Sequence, residues 1–473
     1  MSAPREEFGS RLGFILAAAG SAVGIGNMVG FPVAATKNGG GAFLLIYAIF
    51  VFFICLPVML AEMSVGRKTR KDPLGAYTKL SDKQLPWRLA GGLSIITPFM
   101  IAVFYMVITV WIFGYLFQTL TGNLDMLANP TFFARFVQEG NVFLYMIGVA
   151  IIVYLILLGG VKQGIEKAAK VLMPSLFVLL VGLVIFVLTL DNAFAGVEYY
   201  LVPDFSKINA SVVSAALSQA FFSLSLGMGI MITYGSYLSS QDGIPGSAKM
   251  VAVMDTMVAF IAGLLILPAV FSFDPNTNAA ELSDSSIGMI FSFLPQIFLE
   301  LQTSIGYTGA SVVASVFFLL VFFAAITSLV SILEVPNAAI MDECCFSRKK
   351  SLLVLGTAMI IVAIIATTAS GMWSFTTEFV TYAGQTKSLF DVIIDVFYDT
   401  VLPLNGFLIC IFVIYRWKKH NFHATLEEGE PGYKGGWLEK YVDFSVGTFI
   451  PVILLLIFIN TVALKYFGAS LIG

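Results

Sequence analysis

Eleven long apolar runs set the terms on which this chain can fold. They lie at about residues 11–35, 41–66, 88–121, 141–159, 165–190, 211–239, 246–272, 307–341, 351–369, 388–416 and 443–468. A perpendicular helical crossing of a bilayer takes about 20 residues, so the longer runs must tilt, break or extend past it. They do not alternate in ten-residue stretches, which excludes a transmembrane barrel. Apolar residues make up 58% of the chain and charged residues only 12%, about half the charged share of a soluble domain. The sequence therefore reads as an all-α polytopic membrane protein with 11 transmembrane helices. A net charge of −3 and the lack of a basic domain exclude nucleic-acid binding.

Charge sets the orientation. With the N-terminus inside, all but five of the 26 Lys and Arg residues fall on the inner side; the five are Lys37, Arg135, Lys207, Lys387 and Lys465. The positive-inside rule then places the N-terminus in the cytoplasm, and an odd number of spans places the C-terminus outside. Residues 417–442 read as a cytoplasmic polar loop. Residues 274–306, with Pro275, Asn276 and Pro295, read as an external loop that folds over the protein. Arg5, Glu6, Glu7 and Arg11 lead into the first apolar run without a clear cleavage site, which is unlike a secretory signal. Cys55, Cys344, Cys345 and Cys410 have no zinc or disulfide spacing. The only histidines, His420 and His423, share one polar loop, so no histidine lies in the membrane for catalysis, haem or metal chemistry.

Two spans are peculiar in the same way. The first contains Ala19-Gly20-Ser21-Ala22-Val23-Gly24-Ile25-Gly26-Asn27, and the sixth Phe222-Ser223-Leu224-Ser225-Leu226-Gly227-Met228-Gly229. Each helical glycine costs about 1 kcal/mol relative to alanine, so such clusters invite unwinding. Unwound backbone in a bilayer is tolerated where it is buried or lines a polar cavity. The two segments are five spans apart and run in opposite directions, as in inverted five-helix repeats with a transport site at their breaks. The alternative is close packing through small residues; the intramembrane Asn27 and carboxylates elsewhere favour a polar site. Those carboxylates are Glu62, Asp255 and Glu334. Each costs at least about 2.5 kcal/mol at bilayer depth, and no Lys or Arg lies mid-span to neutralise it. Freed backbone amides or bound cations are the expected partners. Glu62 reads as a cap on the amides of an unwound segment and Asp255 as a cation ligand. Glu334, just before Val335-Pro336, has no assigned role.

Read together and in order, these pieces resemble the neurotransmitter:sodium symporters, in particular their bacterial members. The matching stretches are Ser21 to Asn27, Phe31-Pro32, Asn38-Gly39-Gly40-Gly41-Ala42-Phe43, Glu62 with Gly66-Arg67, Ser223 to Gly227, Ala324-Ala325-Ile326-Thr327-Ser328, and Glu334 to Asp342. The resemblance implies a first repeat over 11–190 after a cytoplasmic segment 1–10, and a loop over 191–210. A second repeat follows over 211–416, then the 417–442 loop, and 443–473 carry a peripheral eleventh helix and an external C-terminus. It implies two sodium ions and no organic cofactor. Sodium 1 would take Ala22, Asn27, Ser223 and Asp255 with the substrate carboxylate. Sodium 2 would take Gly20, Val23, Ala324, Thr327 and Ser328. Sodium is a hard cation, and these groups offer it oxygen.

The resemblance also implies a substrate site made of Ala22, Gly24, Ile25, Gly26, Ile101, Tyr105, Phe222, Ser225, Met228, Ser328 and Ile332. Monoamine-carrying members have an aspartate where this chain has Gly24, which here leaves room for a substrate carboxylate. The apolar pocket around Ile101, Phe222, Met228 and Ile332 implies a neutral, hydrophobic amino acid. Arg5 and Asp342, supported by Tyr237, match the inner gate; Tyr105 and Phe222 match the outer one. The family's outer-gate arginine is Gly30 here, with Asp395 as its expected partner and Lys37 as a substitute cation. Gly164 and Pro174 resemble an unwinding element of the fifth helix, or else a plain helix start with a kink. The expected activity is chloride-independent, sodium-coupled import across a bacterial inner membrane by alternating access. A proton-coupled or exchange-type carrier of the same fold and a non-transporting sensor are the alternatives. No nucleophile–base arrangement points to an enzyme.

Overall fold

The computed structural model describes residues 5–273 and 286–469. Among them, nine helices are long and apolar enough to cross a membrane. These are Gly41–Thr69, Leu85–Leu120, Asn141–Leu158, Val161–Val187, Ile244–Ser272, Gln302–Cys344, Arg348–Thr368, Leu389–Arg416 and Trp437–Phe467. A bent pair, Arg11–Ala22 and Gly26–Lys37, turns through 52° and forms one more crossing. The last is broken too: Ala210–Ser223 is followed by irregular backbone and then Ile230–Ser236. Numbered in chain order these are spans 1 to 11, with the bent pair as span 1 and the Ala210 helix with its continuation as span 6.

Local chemistry sets the ends and breaks. Ser10 caps span 1 by accepting the Gly13 N–H, and Asn209 caps span 6 by accepting the Val212 N–H. Span 6 stops because Ser225, Gly227 and Gly229 all take the left-handed conformation. Glycine is needed twice there: a Cβ on Gly227 would sit 2.6 Å from the Leu402 carbonyl oxygen, and one on Gly229 2.7 Å from that of Ser94.

Burial separates the spans into two classes. The apolar windows of spans 3 and 8 are 78% and 83% buried, while those of spans 4 and 11 are only 28% and 33% buried. Spans 3 and 8 therefore wall the centre, and span 11 is peripheral. Phe14, Phe31, Tyr47, Tyr115, Tyr234 and Phe318 are among the largest fully buried side chains.

The long loop after span 7 begins in residues outside those described, Pro275 and Asn276 included. Its later part, Met289–Glu300, is helical and lies on span 3 and the short helix Phe132–Phe136 that follows it: Phe291 stacks on Phe133, and its carbonyl accepts the hydroxyl of Tyr115 in span 3 at 3.0 Å. The 417–442 loop carries a helix, Lys419–Glu427. Arg67 anchors it by donating to the carbonyls of Thr425 and Glu428, and to that of Asp242 before span 7. The fifth span is helical from Val161 through Val187, with Pro174 inside it. Gly164 sits in a wider π-type turn at its start, so the Gly164–Pro174 spacing marks a helix start in this conformation and no unwound stretch.

Candidate ion and substrate site

The breaks in spans 1 and 6 face each other across buried polar bonds. The Ser225 hydroxyl donates to the Ser21 carbonyl at 3.0 Å. Irregular span 6 backbone frees the Gly227 N–H, which donates to Glu62 Oε1 at 2.8 Å. The Gly227 carbonyl accepts from Asn405 Nδ2 at 2.7 Å. Glu62 thus caps an amide of the unwound segment.

Asp255 stands in the middle of span 7 at zero exposure. Its carboxylate accepts from Asn27 Nδ2 at 2.8 Å, from Ser223 Oγ at 2.9 Å and from the Tyr47 hydroxyl at 3.0 Å. Asn27 Oδ1 in turn accepts the Gly24 N–H at 3.3 Å. Three of the four residues expected at sodium 1 are therefore bonded together. Ala22 is buried in the last turn before the break in span 1. Tyr47 was not expected: one tyrosine in an apolar run, among 17 in the chain, carries no periodic signal.

A second oxygen cluster joins spans 1 and 8. Ser328 Oγ donates to the carbonyls of Gly20 and Ser21, at 3.3 and 3.0 Å. Thr327 Oγ1 lies 3.1 Å from the Ala324 carbonyl. Val23 ends the first half of span 1 with ψ 89, a non-helical turn of the backbone. Both clusters consist of hydroxyl, amide and carboxyl oxygens, a donor set that suits sodium.

Between the clusters, the Tyr105 hydroxyl accepts the Ile25 N–H at 3.0 Å. A Cβ on Gly24 would stand 2.5 Å from that hydroxyl and 2.6 Å from Ser328 Oγ. The expected room at Gly24 is thus filled here by two hydroxyls aimed at one point. Ile101, Met228 and Ile332 are buried. Ile101 precedes Tyr105 by one helical turn, and Ile332 follows Ser328 by one. Phe222 packs on Tyr398 with ring centroids 4.3 Å apart.

On the Lys37 side of this site is a cavity of about 600 Å³ whose lining includes Ile25, Gly26, Gly30, Lys37, Tyr105 and Phe222. Gln219 stands beside Gly30, where a larger side chain would fit, and its Nε2 donates to the Gly26 carbonyl at 3.1 Å. The expectation for Asp395 needs correction. Lys465 of span 11 pairs with it at 2.7 Å, and Tyr382 donates to it at 2.6 Å. The carboxylate lining the cavity is that of Asp399, which Lys465 also holds at 2.7 Å.

The opposite face is closed. Arg5 pairs with Asp342 at 2.6 Å, donates to Ser236 Oγ and lies 4.6 Å over the Tyr237 ring. Tyr237 donates to Glu334 at 2.8 Å. Glu334 is paired with Arg348 at 2.7 Å, so its partner is a side-chain cation from span 9, where an amide or a bound ion was expected. The residues after Arg5 dock in turn: Glu6 on the Val161 N–H, Glu7 on Arg70, Phe8 against Tyr234, and Gly9 on Glu166.

Residues 5–128 and 131–468 fit the sodium:neurotransmitter symporter family. The chain belongs to that family. An uncharacterized sodium-dependent transporter of Bacillus subtilis is 32% identical over 98% of both chains. One from Methanocaldococcus jannaschii is 36% identical over 78% of this chain and 76% of its own. The crystal structure of MhsT in complex with L-phenylalanine superposes with a TM-score of 0.81 at 36% identity, covering 96% of this chain and 99% of that one. This member of the symporter family is accordingly a sodium-dependent membrane transporter and not an enzyme.

Proposed function

We propose that this chain is a symporter that imports a neutral, hydrophobic amino acid with two sodium ions and without chloride. The observation that carries this reading is the Asn27–Asp255–Ser223–Tyr47 cluster at the span breaks. A fixed carboxylate there would supply the negative charge that a chloride ion would otherwise bring to a sodium in a low-dielectric site. Ala259, one turn after Asp255, offers no hydroxyl to an anion. The Thr327–Ser328 cluster would hold the second sodium. The substrate carboxylate would meet the first sodium and the Tyr105 hydroxyl, and its side chain would lie among Ile101, Phe222, Met228 and Ile332. The L-phenylalanine in the related structure supports that substrate class.

In this reading the Arg5 face is cytoplasmic, the cavity opens outward, and the two five-helix halves alternate around the site. Each sodium moving down 100 mV contributes about 2.3 kcal/mol. The test is uptake of neutral amino acids into proteoliposomes, after a thermal-shift screen of the twenty amino acids with and without sodium. Uptake that persists when choline replaces sodium would overturn the coupling. A large fall when gluconate replaces chloride would overturn the chloride independence.

A further inference from the structure

A groove of about 300 Å³ runs between spans 4 and 9, away from the ion and substrate site. Met106 of span 3 and Leu333 of span 8 form its floor; Ile151 and Leu157, with Leu353 and Gly356, line its sides. Its rim is exposed and apolar: Ile147, Ile151 and Leu353 are all more than half exposed. A Cβ built on Gly356 would meet no atom within 4 Å, so the groove is open at the middle of span 9.

The end of this groove carries charge. Residues four, seven and eleven positions apart share one helix face, so Lys349 stands in line with Leu353, Gly356 and Ile360. Lys349 and Lys350 are exposed, and Lys350 Nζ lies 3.7 Å over the Phe346 ring. Arg348 beside them is fully engaged, with Glu334, with Glu6 at 3.3 Å and with the Leu157 carbonyl at 2.9 Å. Among the described residues no carboxylate pairs with either lysine, and the first turn of span 9 adds its own positive end. An apolar trough two to three helical turns long that ends in two such lysines fits a chain with an anionic head.

We propose that this groove binds one acyl chain of a membrane phospholipid whose anionic headgroup rests on Lys349 and Lys350. The test is native mass spectrometry of the full chain, delipidated in detergent and offered phosphatidylglycerol or phosphatidylcholine with identical acyl chains. The wild type is expected to retain the anionic lipid about tenfold better, given the attraction of two lysines for a lipid phosphate. The double variant Lys349→Gln, Lys350→Gln is expected to lose that preference while still retaining both lipids weakly. Gly356→Phe, which fills the trough, is expected to lose both lipids with an unchanged thermal melt. If Gly356→Phe does not fold, Gly356→Val takes its place, and the lysine variant stands as its own test. Equal retention of the two lipids by the wild type, or undiminished retention in the filled variant, would overturn the proposal. So would a concentration-dependent dimer abolished by Gly356→Phe, which would give the groove to a second copy of the chain.

Discussion

Asn27 donates from Nδ2 to Asp255 Oδ1 at 2.8 Å and to the Asp255 carbonyl at 3.2 Å, tying the bend of span 1 to the centre of span 7. A cation entering between them would exchange that N–H contact for oxygen contacts. Asp255→Asn keeps the shape and removes the charge. Its uptake is expected to fall at least about tenfold, a loss of about 1.4 kcal/mol of ion binding, or to become responsive to added chloride. Wild-type uptake in gluconate for this variant would refute the role given to Asp255.

Among the described residues the Thr327 hydroxyl bonds to the carbonyls of Phe323 and Ala324, both in its own helix. Thr327→Val should therefore fold normally. The sodium concentration for half-maximal uptake is expected to rise roughly tenfold, the effect of losing one oxygen ligand at about 1.4 kcal/mol. An unchanged sodium dependence would remove Thr327 from the second ion site.

Arg5, in the segment before span 1, and Asp342, near the end of span 8, are little exposed, so their pair lies between exposed ion pairs, worth about 0–1 kcal/mol, and buried ones. Arg5→Ala is expected to shift a conformational balance by a few-fold and to leave the fold intact. Labelling of a cysteine placed behind the Arg5 face should accelerate, most of all without sodium. Identical labelling rates with and without Arg5 would count against the gate.

Asp72 lies beyond the end of span 2, and its N–H donates to Asp342 at 3.0 Å. Burial, then the Asp342 and Glu343 carboxylates, push its carboxyl up to about 7; the amide of Gly75 and the charge of Arg5 pull the other way. A carboxyl raised in the closed form holds its proton more tightly there than when solvated near about 4. The closed form is therefore favoured at low pH, and that advantage disappears as pH rises from about 4 through about 7. The labelling rate of the same cysteine should increase over this window in the wild type and stay flat in Asp72→Asn. A pH response that survives the substitution would place the titrating group elsewhere.

Lys465 holds two carboxylates of span 10, of which Asp395 is nearly buried. Lys465→Met leaves both unpaired and is expected to cost about 1–3 kcal/mol, between the values for exposed and buried pairs. Adding Asp395→Asn should restore part of the lost melting temperature. No recovery in the double variant would show that the cost does not come from the Asp395 charge.

Much of this arrangement was legible in the residues. The glycine clusters announced the breaks, because helix interiors tolerate glycine poorly, and an intramembrane carboxylate such as Glu62 had to have a partner. What escaped depends on rotation about a helix axis. Asp395 and Asp399 are one turn apart, but a π-type turn over Ile394–Thr400 separates them, and only Asp399 reaches the cavity. Spacing in the sequence carries no such phase. The Arg348–Glu334 pair escaped for a related reason: the two are joined across a tight turn between spans 8 and 9, and hydropathy places Arg348 outside the membrane.

Glu62 of span 2 takes the Gly227 N–H while Asn405 of span 10 takes the Gly227 carbonyl, so both polar ends of that residue are committed to side chains outside span 6. The irregular stretch is thus a built part of the scaffold, assembled when the chain folds. An arriving solute need not melt a helix to find exposed oxygens, and its departure need not wait for one to re-form. The conformational cost of unwinding is met once, during folding, and is not repeated with each turnover.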